Sequence, residues 1–424
     1  MASGIHSTIA SLHNRLMLRW VPKWYGAFAD PSGGFYERLG KGFKPVLTGQ
    51  RRLLTQCRQL AVYGDAVHRN HTRFKCDLRA AFEFIVARYH DPETGLWHYA
   101  LDDDGNVANA ECDLYALSFV IFSFSHYYRA SGDERARDYA RQALGLVTAR
   151  FALPGLPGFA ESIIREDGAY KPIPKIRRQN PHMHLLEACL FAHAVWRDAA
   201  YERMADELVG LFHTYLYDAR RGLLHEFFTD DLKPHPQEGA RLEPGHFLEW
   251  VWLLKKHAAM KGEASMHDDT AMRLLEWGNL HGWDREYGGI YDVVDDAGQV
   301  LEPAKRIWPF CEALKANALM LVRAPDRQAV KDRVAEMVRV FEKKYMQERG
   351  FWVEWLGRDL EPRTDYMPGT TPYHVYFGIT ETHDVLERRG GMISIGGAVR
   401  ARAYAFRRSL SAVMKKMRRL MPAA

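Results

Sequence analysis

Gly33-Gly34-Phe35-Tyr36-Glu37 is the first of six short glycine–apolar–aromatic elements in this chain. The pattern returns as Thr94-Gly95-Leu96-Trp97-His98, Pro157-Gly158-Phe159-Ala160-Glu161 and Arg221-Gly222-Leu223-Leu224-His225-Glu226. It comes twice more, as Gly288-Gly289-Ile290-Tyr291-Asp292 and Arg349-Gly350-Phe351-Trp352-Val353-Glu354. With Gly34, Gly95, Gly158, Gly222, Gly289 and Gly350 as anchors, the steps are roughly 61 to 67 residues. Asp30, Asp91, Asp218 and Asp284 stand just before four of the anchors, which suits a turn feeding a short extended segment. A fixed period of this length marks a repeat architecture.

Between the anchors, apolar residues recur at three-to-four spacing, the signature of helices. The pattern predicts helices over about 9–28, 51–66, 74–89, 113–129, 134–151, 183–196, 201–217, 246–260, 271–280, 308–322, 330–345 and 371–386. That is two helices per repeat. One pair alone cannot bury its apolar stripe, but six pairs closed into a ring can, and they leave no exposed end. Open α-solenoids of the HEAT or TPR kind repeat every 34–47 residues or so, well short of the period here. The expected fold is therefore all-α, an (α/α)6 barrel, with residues 1–390 as one domain and 391–424 as a basic extension.

Composition fits this reading. The chain of 424 residues is 47% hydrophobic and 26% charged, which suits a folded globular protein and excludes disordered and fibrous classes. Five scattered cysteines without a CxxC pair support neither a disulfide framework nor a zinc site, and point to a reducing, cytoplasmic setting. No apolar run is long enough to span a bilayer, and no signal peptide is evident. The net charge of +5 comes from the eight basic and no acidic residues of 391–424, which leave residues 1–390 at −3. A nucleic-acid partner is not expected for such a body.

In an (α/α)6 barrel the starts of the inner helices converge on one mouth, where free N–H groups and helix dipoles favour anionic species. Those starts carry Arg51, Asp113 with Tyr115, Asn180 with His184 and Glu187, His246 with Glu249, Arg306 with Trp308 and Glu312, and Tyr373 with His374. Three imidazoles at matching positions suit proton transfer near neutral pH. His184–Glu187 and His246–Glu249 are both spaced i, i+3, so each carboxylate is expected beside its own imidazole. The same clustering would also suit a divalent metal, although no HExxH motif accompanies it. The expected cofactor set is empty. His182 points away from His184 and reads as support, while Trp97, Tyr115, Trp308, Trp352 and Tyr373 are candidate walls for a sugar ring.

The motifs Gln50-Arg51-Arg-Leu-Leu-Thr-Gln-Cys-Arg58, Asn180-Pro-His-Met-His-Leu-Leu-Glu187, Gly245-His-Phe-Leu-Glu-Trp250, Trp308-Pro-Phe-Cys-Glu312 and Tyr373-His374 resemble the N-acylglucosamine 2-epimerase superfamily. That superfamily includes mannose and sulfoquinovose aldose–ketose isomerases and cellobiose 2-epimerases. The resemblance implies cofactor-independent proton transfer at sugar C2, with His184, His246 and His374 as essential histidines. It also implies that Arg51 contacts sugar oxygens, while Asn180, Glu249, Glu312 and Tyr115 complete the pocket. The Pro after Asn180 and the Phe310-Cys311 pair depart from the epimerase members and leave the substrate open.

Chemistry assigns provisional roles. Ring opening needs an acid–base pair, and removal of the C2 proton gives a cis-enediolate that needs a fixed cation. His374 is read as the C2 base, His246 as partner acid, His184 with Glu187 as the ring-opening pair, and Arg51 as the enediolate holder. Aldose–ketose isomerisation of a mannose-like monosaccharide is favoured, followed by 2-epimerisation. A glycoside hydrolase or lyase would need paired carboxylates on a groove, and a sugar-binding barrel without activity would not need three histidines. The oligomeric state is open, a homodimer included. The tail interleaves apolar residues with Arg400, Arg402, Arg407, Arg408, Lys415, Lys416, Arg418 and Arg419, so contact with an anionic membrane surface is weighed against a solvated extension, which is favoured. Truncation after Arg389 is accordingly expected to leave the turnover rate unchanged in a sugar-isomerisation assay.

Overall fold

The computed structural model describes residues 2–69, 75–321, 326–347 and 349–387, and the basic tail of 391–424 lies outside them. The described chain contains thirteen α-helices: α1 Ala2–Arg15, α2 Val21–Phe28, α3 Leu53–His68, α4 Leu78–Tyr89, α5 Leu114–Ser131, α6 Glu134–Leu146 and α7 Gln179–Trp196. The remainder are α8 Ala199–Leu211, α9 Pro244–Lys261, α10 Asp268–Gly282, α11 Ile307–Met320, α12 Arg327–Val340 and α13 Pro372–Leu386. A π turn over Leu16–Trp20 joins α1 to α2, so together they act as one outer helix. None of these helices is long and apolar enough to cross a membrane.

Helix contacts define two concentric rings. The inner ring runs α3–α5–α7–α9–α11–α13 and closes when α13 packs on α3. Outside it, α4, α6, α8, α10 and α12 each pack on the inner helix of their own unit, and α1 packs on α13. This is the (α/α)6 barrel.

Patterning explains which helix goes where. In α3, fourteen of sixteen residues are buried, Arg58 and Asp65 among them, as a helix enclosed on all sides requires. In α6 the buried residues are Ala136, Ala140, Ala143 and Leu144, one stripe at helical spacing on an otherwise polar helix. Aspartates set several starts: Asp77, Asp113, Asp133 and Asp198 each accept a hydrogen bond from a first-turn N–H. Several predicted boundaries move. The helix expected from 74 begins at Leu78 behind its Asp77 cap, and the one expected from 183 begins at Gln179, where Pro181 is tolerated in the first turn.

The repeated elements share one local structure. Their six anchor glycines all have φ between +68° and +89°, a region costly for other residues. After each glycine the chain turns back to pair with the end of the outer helix, through Ala29–Phe35, His90–Trp97, Ala152–Phe159, Tyr217–Leu224, Trp283–Ile290 and Met346–Trp352. The chain then reaches the next inner helix, whose start is tied to the following unit. Leu53 N–H donates to Tyr99 O, Leu114 to Glu161 O, Gln179 to Glu226 O, and Ile307 to Glu354 O, at 2.9–3.1 Å. Gly369 N–H donates to Glu37 O at 2.7 Å and links the sixth unit to the first.

One linker contains a fully buried ion pair. Lys305 Nζ lies 2.8 Å from Asp284 Oδ2 and also donates to Gly288 O and Arg358 O, each at 2.7 Å. Removing one member of a buried pair strands the other charge, at a cost of about 3–5 kcal/mol. Lys305→Met should lower the urea-unfolding free energy by about that amount; a loss below about 1 kcal/mol would show that Asp284 finds another partner.

Candidate active site

The inner-helix starts place His184 (α7), His246 (α9) and His374 (α13) around one buried polar centre. Each Nδ1 is paired with a carboxylate, and each carboxylate comes from a different kind of element. His184 Nδ1 lies 3.1 Å from Glu187 Oε2 one turn along its own helix. His246 Nδ1 lies 2.9 Å from Glu226 Oε2, in the fourth glycine–aromatic element. His374 Nδ1 lies 3.0 Å from Glu312 Oε1 on the neighbouring helix α11. Since a carboxylate accepts, each Nδ1 carries the proton. Among the described residues nothing hydrogen-bonds to Nε2 of His246 or His374, which leaves those atoms for a substrate.

The pairing corrects one expectation. Glu249 does not bond His246; its Oε1 lies 3.8 Å from His184 Nε2, and its carboxylate is within 4.8 Å of Glu312 and His374. The partner of His246 is Glu226, whose orientation is fixed in turn. Trp250 Nε1–H donates to Gln179 Oε1 at 2.8 Å, so the Gln179 amide nitrogen faces Glu226 Oε2, at 3.0 Å.

Surroundings drive the three imidazoles apart. Burial holds His374 down to about 3, with Arg58 and His184 adding to the effect and Glu312 opposing it. Burial likewise holds His184 down to about 4, against Glu187. Burial also disfavours the charged form of His246, but Glu226, Glu243 and Glu249 outweigh it and lift the group to about 9. The site thus holds two neutral imidazoles and one imidazolium near pH 7, a division that supplies a base and an acid together.

Arg51 is a second correction. It precedes α3, in a two-residue strand with Arg52, and successive side chains of a strand point to opposite sides. Its guanidinium bonds Gly33 O, lies 3.3 Å from Asp30 Oδ2 and covers the Phe84 ring, so it braces the first glycine turn. The cation at the centre is Arg58. Its Nη2 donates to Tyr115 Oη at 2.6 Å, and its guanidinium lies over the rings of Phe119 and Tyr373 at 4.4 and 4.6 Å. Arg58 forms no ion pair among the described residues, and its buried Nε has no partner.

The other expected residues are placed as follows. The Trp308 ring lies near two of the imidazoles, 4.8 Å from His246 and 5.6 Å from His374. Gly245 makes room for it, since a Cβ there would fall 2.7 Å from Trp308 Cη2. Tyr115 stacks at 5.0 Å from His184. Asn180 Oδ1 is buried without a partner at the start of α7. Tyr373 donates its hydroxyl to Glu187 Oε2. Glu312 also bonds Lys315, whose Nζ is 2.6 Å from Oε2.

Trp97 and Trp352 are not cavity walls. Trp97 packs on His90, Phe124 and Tyr139, and Trp352 on Trp24 and Phe28, between the two rings of helices. His182 is a supporting residue, with Nε2 accepting from Phe159 N–H and Nδ1 directed at Arg178 O. Around the mouth, Arg52 pairs with Glu37, Arg178 with Glu161, and Arg306 with Asp292 and Glu243. Two groups of these side chains, His184–Glu187–Glu249 and Glu249–Glu312–His374, have ligand atoms within 4.8 Å of one another, close enough to hold a metal ion, and Lys315 Nζ lies 2.6 Å from Glu312 Oε2.

Arg58, Glu226, Lys315 and Gln179 escaped the sequence reading. Signals for two of them were present: Glu226 ends a repeated element as Glu37, Glu161 and Glu354 do, and Lys315 is a lone cation on an otherwise apolar helix.

Fold and site together define an acid–base enzyme for a small polar substrate. The N-acylglucosamine 2-epimerase family model matches residues 34–378, and the chain belongs to that family, whose members are sugar isomerases and epimerases. A protein of Rhizobium meliloti named mannose-6-phosphate isomerase is 30% identical over 402 residues, 92% of this chain and all of that one. A cellobiose 2-epimerase of Bacteroides fragilis is 26% identical over 60% of this chain and 67% of its own. Among solved structures, cellobiose 2-epimerase from Spirochaeta thermophila superposes with a TM-score of 0.81 at 20% identity, over 91% of this chain and 98% of that one. A D-mannose isomerase superposes with 0.76 at 19% identity, over 88% and 97%.

The Glu226 pairing sets a pH dependence. Glu226→Gln removes the charge that keeps His246 protonated, so its pKa should fall from about 9 toward the ordinary value of about 6.5. The alkaline limb of kcat/KM should move down with it. Because the folded value lies above the unfolded one, the parent pair stabilises fully below about pH 6.5 and loses that contribution as pH rises through about 9. Unfolding titrations of the variant should lack this slope.

Proposed function

We propose that the enzyme interconverts an unphosphorylated, mannose-type aldose and its 2-ketose through a cis-enediolate. The observation that carries this reading is the pair of imidazoles near Trp308, His374 neutral and His246 protonated. With the open-chain aldose on Trp308, His374 Nε2 takes the C2 proton while His246 Nε2–H protonates the carbonyl oxygen O1. Arg58, free of any carboxylate partner, stabilises negative charge on the enediolate oxygens. His374 then returns its proton to C1 while His246 Nε2, left neutral by its transfer to O1, takes the O2 proton, and C2 becomes the ketone. His184, held by Glu187, serves ring opening, and Asn180 Oδ1 is an acceptor for a sugar hydroxyl.

Two further choices rest on supporting observations. The ketose product is favoured because the isomerase-named relative matches 92% of the chain. A neutral sugar is favoured because Arg52, Arg178 and Arg306 at the mouth are each already neutralised by a carboxylate. The second reading is 2-epimerisation, in which His246 returns the proton to the opposite face of C2. Five cysteines outside any disulfide suit a reducing, cytoplasmic setting.

Incubation with mannose in heavy water, followed by NMR, separates the readings. Deuterium at C1 of fructose supports isomerisation; a C2-deuterated epimer without ketose supports the second reading; no exchange with any hexose or disaccharide sinks both. His374→Asn should reduce exchange by about 10²–10⁴-fold, Arg58→Met should lower kcat by about 10²–10³-fold, and Arg51→Met should cost mainly stability. EDTA should change none of these rates, and mannose 6-phosphate should turn over more slowly than mannose.

A further inference from the structure

Helix α11 carries two charged residues into the barrel interior, Glu312 and Lys315, both almost completely buried. A buried ammonium is costly unless it has a task or a full set of partners. Lys315 Nζ is 2.6 Å from Glu312 Oε2, while Glu312 Oε1 receives His374 Nδ1–H at 3.0 Å. One carboxylate therefore bridges the lysine and the imidazole. Across from it stands Glu249, close enough for the oxygens of Glu249 and Glu312 and a ring nitrogen of His374 to lie within 4.8 Å of one another. Glu249 Oε2 is buried without a hydrogen-bond partner, and among the described residues no lysine or arginine forms an ion pair with this group.

Two carboxylates this close cannot both be ionised in a dry site, and one must hold a proton. If it were Glu312, the acceptor for His374 Nδ1–H would be lost. The ring could then adopt the other tautomer, with its proton on Nε2, and would no longer be a base toward the substrate.

We propose that Lys315 is a positioning residue: its ammonium, seated on Glu312, assigns the proton to Glu249 and so keeps Glu312 as the anionic acceptor that holds His374 in the reactive tautomer. The electrostatics of the two acids agree. Burial raises both, but Lys315 and His374 outweigh it at Glu312 and bring that carboxyl down to about 2, whereas burial and Glu312 hold Glu249 well above the usual range. Glu187 faces the same ammonium, and the Trp252 ring lies 5.2 Å from Nζ. Lys315 acts through Glu312 and needs no contact with the sugar.

The assignment rests on the proposed role of His374, and two readouts keep the two ideas separable. Lys315→Met is expected to lower kcat at least ~100-fold while KM stays within about threefold. In enzyme with 15N-labelled histidine, NMR should show His374 moving from the Nδ1–H to the Nε2–H tautomer, a measurement that needs no substrate. In a Glu249→Gln background the competing carboxylate is gone, so the same lysine substitution should cost less than about tenfold and leave the tautomer in place. Equal losses in the two backgrounds, or an unchanged His374 tautomer in Lys315→Met, would overturn the proposal. If Lys315→Met does not fold but the double variant does, competition between the two acids is supported at the level of stability. If neither folds while Glu249→Gln alone does, Lys315 is structural and the proposal fails.

Discussion

Four of the six inner helices of this barrel, α3, α5, α7 and α11, take their first hydrogen bond from the unit that follows. Leu53 bonds the carbonyl of Tyr99, Leu114 that of Glu161, Gln179 that of Glu226 and Ile307 that of Glu354, and Gly369 bonds Glu37 to complete the circle. A helix start leaves several N–H groups without intrahelical partners. Satisfying one of them from the neighbouring linker fixes both the height of the helix and the position of the linker. Where the linker ends in an acid, that acid is delivered to the mouth at a set distance from the adjacent start. The pairing of Glu226 with His246 is a direct result, since the residue that supplies the carbonyl also supplies the carboxylate.

That arrangement lets one kind of side chain do opposite jobs. All three histidines are buried and all three have a carboxylate on Nδ1, yet only His246 is held protonated. The difference lies in the charges nearby. Arg58 bears on His184 and His374 and disfavours a further cation, whereas Glu243 reinforces Glu226 around His246. Enediolate chemistry needs a base and an acid at neutral pH, and the barrel supplies both from imidazole by position alone.

Much of this was legible in the sequence. The period of roughly 61 to 67 residues could be read because each unit needs a positive-φ glycine and an aromatic residue in the same place. The three histidines and Glu187, Glu312, Trp308 and Tyr115 could be read because inner starts converge in a closed ring. What could not be read depends on side-chain direction inside helices that are buried all round. With fourteen of its sixteen residues buried, α3 has no polar face to show that Arg58 points inward. Arg51 was misplaced because the helix begins two residues later than its apolar pattern suggests, after a strand that turns that side chain outward. The assignment of Glu249 to His246 failed for a related reason: i, i+3 spacing makes a contact available, but a partner across the ring took it.

The contact between α1 and α13 sets a seam in the toroid. His6 Nε2 lies 3.1 Å from Leu386 O, and the His13 and His383 rings stack 4.0 Å apart, so the first helix rests against the last. Geometrically the ring has no privileged beginning. A gene rearranged to join these two ends by a short peptide and to start at another outer helix would encode the same closed set of contacts.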